Sequence, residues 1–149
     1  MYHYKESGLD NVFLENGYTI RQTPYGETIA IENVDRLHRL LASRLIQQRE
    51  INGAELRFLR QEMGKTQAQL ADLFQREEQT ISLWERDRKR PISPLAGVIL
   101  RLLYAEHIGQ KPKIERTIRA QTRSKKKIVR LDRAAHRWKA TEAQDAHAT

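Results

Sequence analysis

Residues 77–91, EEQTISLWERDRKRP, place hydrogen-bonding side chains at helical spacing just ahead of a cluster of arginine and lysine. At about 100° per residue, one arc of about 140° carries Glu78, Gln79, Ser82, Leu83 and Arg86. Ile81 and Trp84 fall on the opposite side, where they would enter a core. Glutamine can bridge a purine edge, a carboxylate can accept from cytosine N4, and apolar atoms can meet the thymine methyl group. The stretch therefore predicts a helix with one buried face and one face suited to the edges of bases.

A shorter helix, from Thr66 through Phe74, is expected directly before it. Thr66 can cap this helix, and its inward side is formed by Leu70, Ala71 and Phe74. Only two or three residues join the two helices, which forces them into contact at a steep angle. Ala71 would let the backbones approach closely, while Gln67 is left exposed in the first turn.

Together these residues resemble the Xre/Cro-type, lambda-repressor-like helix-turn-helix regulators over roughly residues 53–107. The match rests on Gln67, Leu70, Ala71, Phe74, Ile81, Trp84 and Glu85, preceded by Leu59-Arg60 and followed by a basic stretch and Pro91. The resemblance implies that Glu78, Gln79 and Leu83 face base edges, with Ser82 on the same arc. It also implies that Gln67, next to Thr66, binds a backbone phosphate of DNA, and that Arg60 pairs with Glu85.

Two interpretations apply to the cations that end this helix, Arg86, Arg88, Lys89 and Arg90. Such a run is usually a solvated loop, but at the end of a helix that lies on DNA it would contact phosphates.

Three positions depart from the family pattern. Gln75 stands where the turn prefers glycine, Arg76 where an apolar residue is usual, and Asp87 where glycine is common, so a reshaped turn is expected.

The first fifty residues predict a small antiparallel meander packed against a helix. Alternating residues over 10–31, with Asn16-Gly17 and Pro24-Tyr25-Gly26 as turns, predict three strands, and apolar spacing predicts helices over 34–48 and 53–64. The stretches YKESGLDNVFLENGY, PYGETIAI and GAELRFLR resemble antitoxin-type regulators that join an N-terminal zinc-finger module to this helix-turn-helix. Since the chain has no cysteine, a zinc-free form of that module is implied.

The basic character of the chain is confined to its C-terminal part. Residues 1–110 hold 15 Lys and Arg against 15 Asp and Glu, whereas residues 111–149 hold 12 against 4. This arm is expected to be disordered or to form a helix with Ile128, Leu131, Ala135 and Trp138 on one side. It could engage nucleic acid backbone through Arg123, Lys125, Lys126, Lys127 and Arg130. A membrane-surface segment ranks last, because the apolar side is thin.

A second apolar stripe follows the helix-turn-helix and consists of Leu95, Val98, Ile99, Leu102 and Leu103. Core packing is the favoured interpretation and dimer contact the alternative. A homodimer is still the default expectation, because symmetric regulators of this kind bind paired half-sites of a palindromic operator.

Several classes of function are disfavoured by composition. The absence of cysteine and the wide spacing of five histidines predict no metal, and no cofactor is expected. Ser7, Asp10 and His38 form only a nominal hydrolase trio, without a nucleophile turn, so we expect no enzyme. No signal peptide and no apolar run of membrane-spanning length is visible, which predicts a cytoplasmic protein without a membrane partner.

The sequence thus predicts a mainly α fold, a lambda-repressor-like helical DNA-binding domain with a small N-terminal antiparallel β-meander. The expected divisions are a module over 1–52 open to dimer or partner contact, the helix-turn-helix domain over 53–109, and the basic arm over 110–149. The expected function is regulation of transcription by sequence-specific binding to double-stranded DNA, as a repressor that occludes an operator. The alternative is an antitoxin or adaptor that binds a partner protein, such as a toxin, and autoregulates its operon.

Overall fold

The computed structural model describes residues 1–120, 129–134 and 137–141. The chain divides into two compact units. One, termed the mixed unit, comprises residues Met1–Leu41 and Lys127–Thr149, and the other, termed the helical unit, comprises Ala42–Lys126. Helix α1, Val34–Leu45, contains the boundary between them.

The helical unit contains five helices besides the end of α1 in its described residues 42–120. They are α2 (Gly53–Glu62), α3 (Gln67–Phe74), α4 (Glu78–Arg86), α5 (Pro94–His107) and α6 (Ile114–Ala120). Their core is formed by fully or almost fully buried side chains, the largest being Leu45, Ile51, Leu56, Leu59, Leu70, Ile81, Leu100 and Tyr104. The predicted helices over 53–64 and from Thr66 to Phe74 are therefore observed within a residue or two at each end.

Local capping explains where α2 and α3 begin. Asn52 accepts from the backbone N–H of Glu55 and Glu55 accepts from that of Asn52, both at 2.9 Å. Thr66 and Gln69 form the same reciprocal pair at 3.1 and 2.9 Å. Such pairs satisfy N–H groups that a helix leaves without an internal partner, which makes these starts readable from sequence.

The mixed unit holds two sheets beside the first part of α1. Its strands are β1 (Tyr2–His3), β2 (Val12–Leu14), β3 (Tyr18–Thr23), β4 (Gly26–Ile31), β5 (Val129–Ala134) and β6 (Arg137–Thr141). One sheet has the order β1-β2-β5-β6 and the other is the hairpin β3-β4. The β2–β5 pair is parallel, with Val12 opposite Val129 and Leu14 opposite Leu131, and the other strand pairs are antiparallel.

The predicted three-stranded meander is wrong in its first connection. The β3–β4 hairpin forms around Pro24-Tyr25, but β2 pairs with β1 and β5 instead of β3. Asn16 explains the difference, since its side chain donates to Asp132 at 2.8 Å and accepts from the Arg133 N–H at 2.7 Å. Gly17, with φ of 79°, faces the Trp138 indole so closely that an added Cβ would lie 2.7 Å from it. The Asn16-Gly17 turn thus receives the C-terminal strands and does not close a hairpin.

The prediction of a disordered or helical arm is also wrong for residues 129–134 and 137–141, which are strands β5 and β6. Val129, Leu131 and Trp138 are buried, and the Trp138 indole N–H donates to the carbonyl oxygens of Glu32 at 3.1 Å and Asn33 at 3.3 Å. Arg130 is half-buried in an inner strand, so it does not lie on a free arm. The other predicted arm residues, Arg123, Lys125, Lys126 and Lys127, lie outside the described residues.

The fold class is accordingly mixed α and β, and not mainly α as predicted. The expected boundary at residue 52 falls instead within α1, and the strands of the expected arm belong to the same unit as the N-terminus. Among the described residues, no helix is long and apolar enough to cross a membrane. Nor do those residues contain a group of three His, Asp or Glu side chains that could hold a metal ion.

Candidate nucleic-acid interface

Helices α3 and α4 are joined by a turn whose first residue, Gln75, has left-handed backbone angles, φ 54° and ψ 45°. The turn is held by hydrogen bonds from the Arg76 N–H to the Ala71 carbonyl at 2.9 Å and from the Gln75 N–H to the Asp72 carbonyl at 3.1 Å. The Gln75 side chain also donates to the Asp72 carbonyl, at 2.7 Å. Gln75 thus adopts a left-handed conformation that favours glycine, at a cost of roughly 1 kcal/mol.

The buried face of α4 is anchored by three residues. Ile81 is completely buried, and the half-buried Trp84 ring lies 6.4 Å from that of Phe74, centroid to centroid. Gly53 at the start of α2 approaches α4 so closely that an added Cβ would lie 1.9 Å from the Trp84 carbonyl oxygen. No other residue type fits at Gly53 without moving α2 away from α4.

Arg60 and Glu85 form the ion pair that the resemblance implied. Arg60 Nε and Nη2 donate to the two Glu85 carboxylate oxygens, both at 2.8 Å, and Nη1 donates to the Lys65 carbonyl at 2.9 Å. Their side chains are only 12% and 4% exposed. A carboxylate buried to this extent would cost several kcal/mol without its cation, so the pair fixes α4 against α2.

The predicted base-reading residues, here termed the reading strip, are all accessible. Glu78 and Gln79 are exposed, Leu83 is 51% exposed, and Ser82 is half-buried. The strip thus occupies the side of α4 opposite Ile81. This accessibility is the condition on which the prediction depended.

The predicted phosphate ligands fall into two groups. Gln67 is half-buried at the first position of α3, and the exposed Thr66 uses its hydroxyl oxygen as the cap of that helix. Arg86, Arg88, Lys89 and Arg90 are exposed at and beyond the end of α4. Their segment is ordered by its backbone, because the N–H groups of Ala54 and Gly53 donate to the carbonyls of Arg88 at 3.1 Å and Arg90 at 3.2 Å.

An arginine-lined groove of about 1070 Å³ borders the reading strip, between the end of α4, the segment 90–93 and the start of α5. Sequence reasoning missed two of its arginines, Arg49 and Arg101. Arg101 is 4% exposed and donates to the carbonyl oxygens of Ile46, at 2.9 Å, and of Gln48 and Arg49. Burial lowers the pKa of the Arg101 guanidinium, and the charge of Glu55 acts in the opposite direction. No sequence motif identifies these two arginines, because their role depends on tertiary contacts.

The predicted core stripe on α5 is not the buried side of that helix. The buried residues are Ala96, Gly97, Leu100, Arg101 and Tyr104. In contrast, Leu95 is 69% exposed, and the other stripe residues, Val98, Ile99, Leu102 and Leu103, are half-buried. The interpretation as core was wrong because α5 is apolar on both sides, and sequence spacing does not reveal which side the remaining helices cover.

Comparison with known proteins returns no match: no family model fits the chain, and neither a curated protein nor a solved structure is significantly similar to it.

Proposed function

We propose that the protein is a sequence-specific regulator of transcription that inserts α4 into the major groove of double-stranded DNA. The observation that carries the proposal is the division of α4 into two faces. Ile81 and the Arg60–Glu85 pair lock one face, whereas Glu78, Gln79 and Leu83 stay accessible on the other. An α-helix fits the major groove, and these side-chain types can discriminate base edges there.

Cations at the end of α4 support the same assignment. The exposed Arg86, Arg88, Lys89 and Arg90 follow the reading strip, in a segment fixed to the start of α2. Contacts to phosphate set register and orientation, and contacts to bases supply specificity. The expected mechanism is occlusion: the bound protein covers an operator that overlaps a promoter. This activity would be exercised in the cytoplasm.

The accessible apolar side of α5 supports a homodimer. A helix that is apolar all round is normally buried on both sides, yet Leu95 is 69% exposed. A second copy that pairs through the same side would cover Leu95, Ile99 and Leu102 in both chains, as a two-fold interface requires. Such a dimer would bind a palindrome whose half-sites lie about one helical turn apart.

Selection of duplexes from a random pool by the full chain tests the proposal. We expect enrichment of a palindrome whose half-sites have a fixed spacing. A Leu95→Lys variant should be monomeric by sedimentation and should enrich single half-sites, whereas Ile114→Lys, at a 59% exposed apolar residue of α6, should behave as wild type. Recovery of random sequences by the wild type would reject sequence-specific binding.

A second candidate function, an antitoxin or adaptor that grips a partner protein, is favoured by the β3–β4 hairpin. Its cross-strand pairs Tyr18–Ile31 and Ile20–Ile29 form an apolar face, with Ile20 44% exposed. Within the described residues, neither outer edge of the hairpin pairs with another strand. Two-stranded sheets are marginal alone, and open edges can accept a strand from a partner.

Co-expression with the product of a neighbouring toxin-sized reading frame tests this candidate. If the hairpin is the contact, a stable complex should form with the wild type and should be lost in Ile20→Lys. A Thr19→Lys change, on the opposite face of the same strand, serves as the matched control. A complex that survives Ile20→Lys would remove the hairpin from the interface.

A further inference from the structure

The arginine-lined groove draws its charge from three separate parts of the helical unit. Arg49 comes from the segment between α1 and α2, Arg86 from the last turn of α4, and Arg90 from the segment after it. All three are exposed, and the groove has only two carboxylates, Glu50 and Asp87, in its lining. The convergence of like charges from distant parts of the sequence favours a polyanion as the occupant.

The floor of the groove adds a buried cation. Arg101 is only 4% exposed, and its Nε and Nη2 atoms donate hydrogen bonds to backbone carbonyls. A guanidinium held in place at the floor adds a fixed positive charge close to an anion in the groove.

The groove is fixed in shape before any ligand arrives. The Ile92 N–H donates to the Ile51 carbonyl at 2.8 Å, and Asn52 and Pro91 form an isolated β-bridge, so the two walls are tied together. Arg101 holds the carbonyls of Gln48 and Arg49, which fixes the segment that carries the Arg49 side chain. Binding to such a surface loses little conformational entropy.

We propose that this groove seats one sugar-phosphate strand of the DNA duplex, with Arg49 as an additional phosphate ligand. The inference rests on the proposed function of α4. Leu83 belongs both to the reading strip and to the groove wall, so a helix that reads bases through Leu83 brings the flanking strand of the major groove alongside. Arg49, Arg86 and Arg90 then meet successive phosphates, while Trp84, Ile92 and Pro94 line the groove with apolar surface for the deoxyribose.

The test compares salt-dependent binding by the full-length wild type, Arg49→Gln and Arg49→Lys. The probes are a duplex of random sequence and the palindrome recovered by selection. Arg49→Gln should weaken binding to both duplexes by the same factor, about 3- to 10-fold at low salt, and should reduce the slope of log affinity against log salt by about 0.9. Arg49→Lys should retain the slope because it retains the charge.

Arg57→Gln is the matched control, because Arg57 is an exposed arginine of α2 that does not line the groove. Its slope should equal that of the wild type, and thermal unfolding should be unchanged in all variants. A slope for Arg49→Gln equal to that of Arg57→Gln would overturn the groove as a phosphate site while leaving base readout by Gln79 intact. Absence of duplex binding by the wild type would instead overturn the proposed function and the groove assignment together.

Discussion

The helical and mixed units achieve order in different ways. In the helical unit, α3 packs against the helix that follows it, α2 packs against α4 and α5, and the Arg101 hydrogen bonds to residues 46–49 span 52 to 55 positions. In the mixed unit, the parallel β2–β5 pair and the Asn16–Asp132 hydrogen bond join residues more than 110 positions apart. The helical unit is formed by one continuous segment of the chain, whereas the mixed unit is formed by the meeting of two distant segments.

This difference separates the proposed DNA surface from the segment that completes the fold of the N-terminus. The reading strip, the cations after α4 and the arginine-lined groove all belong to the helical unit. Damage to β5 or β6 should therefore unfold the mixed unit without abolishing DNA binding by α4. Damage to the Arg60–Glu85 pair should abolish DNA binding by α4 without unfolding the mixed unit. The following changes test that contrast.

The largest effect is expected for Trp138→Ala in the mixed unit. The change empties the space beside Gly17 and removes the indole donor from the carbonyls of Glu32 and Asn33. We expect a loss of about 4 kcal/mol from the free energy of unfolding of the mixed unit. Hydrogen exchange followed residue by residue should show lost protection in β2 and β5, with protection in α2 to α4 retained.

The alternative outcome is equally specific. If Trp138→Ala removed protection from α3 and α4 to the same extent as from β2, the two units would unfold as one, and the comparison between them would fail. Leu73→Ala is a suitable control, because Leu73 is 44% exposed on α3 and its truncation should cost little.

A somewhat smaller loss, about 3 kcal/mol, is expected for Arg60→Ala in the helical unit, because the carboxylate of Glu85 is then buried without its partner. Thermal or urea unfolding measures the loss. The double change Arg60→Leu with Glu85→Leu should recover most of it, since no charge remains to be desolvated. If Arg60→Ala had the same urea midpoint of unfolding as the wild type, the ion pair would not be what holds α4 against α2.

A small gain is expected at the turn between α3 and α4. Gln75→Gly removes the cost of a left-handed non-glycine residue but also a side-chain hydrogen bond to the Asp72 carbonyl. The net expectation is a stabilisation of at most about 0.5 kcal/mol, whereas Gln75→Val should destabilise, because a β-branched residue tolerates this conformation poorly. Equal stability of the two variants would show that the backbone changes conformation on substitution.

Local signals in the sequence were sufficient for helices α3 and α4. Thr66 is a cap that acts within three residues, and the spacing of Ile81 and Trp84 fixes which side of α4 is buried. The Arg60–Glu85 pair was predicted from the resemblance, whereas the turn at Gln75 was expected to be reshaped and instead has left-handed backbone angles. The cap and the buried face of α4 depend on neighbours along one helix, which periodicity and residue type report well.

Non-local pairing was beyond the same reasoning. The alternation of Val129, Leu131 and Arg133 is compatible with a strand, but the helical spacing of Leu131, Ala135 and Trp138 competes with it. The strand is favoured over the helix by the pairing of β5 with β2, which the Asn16 side chain supports by accepting from the Arg133 N–H. Likewise, nothing in the sequence marks Arg101 as the residue that fixes residues 46–49.

The most direct test of the central claim is the base preference of a Gln79→Ala variant, measured on the selected palindrome and on duplexes with each single base changed. We expect a loss of about 1 to 3 kcal/mol on the palindrome and relaxed preference at one position per half-site, with little change on random duplex. Gln61→Ala, at an exposed glutamine of α2, should leave both affinities unchanged. An equal loss on the palindrome and on random duplex for Gln79→Ala would contradict base recognition by α4.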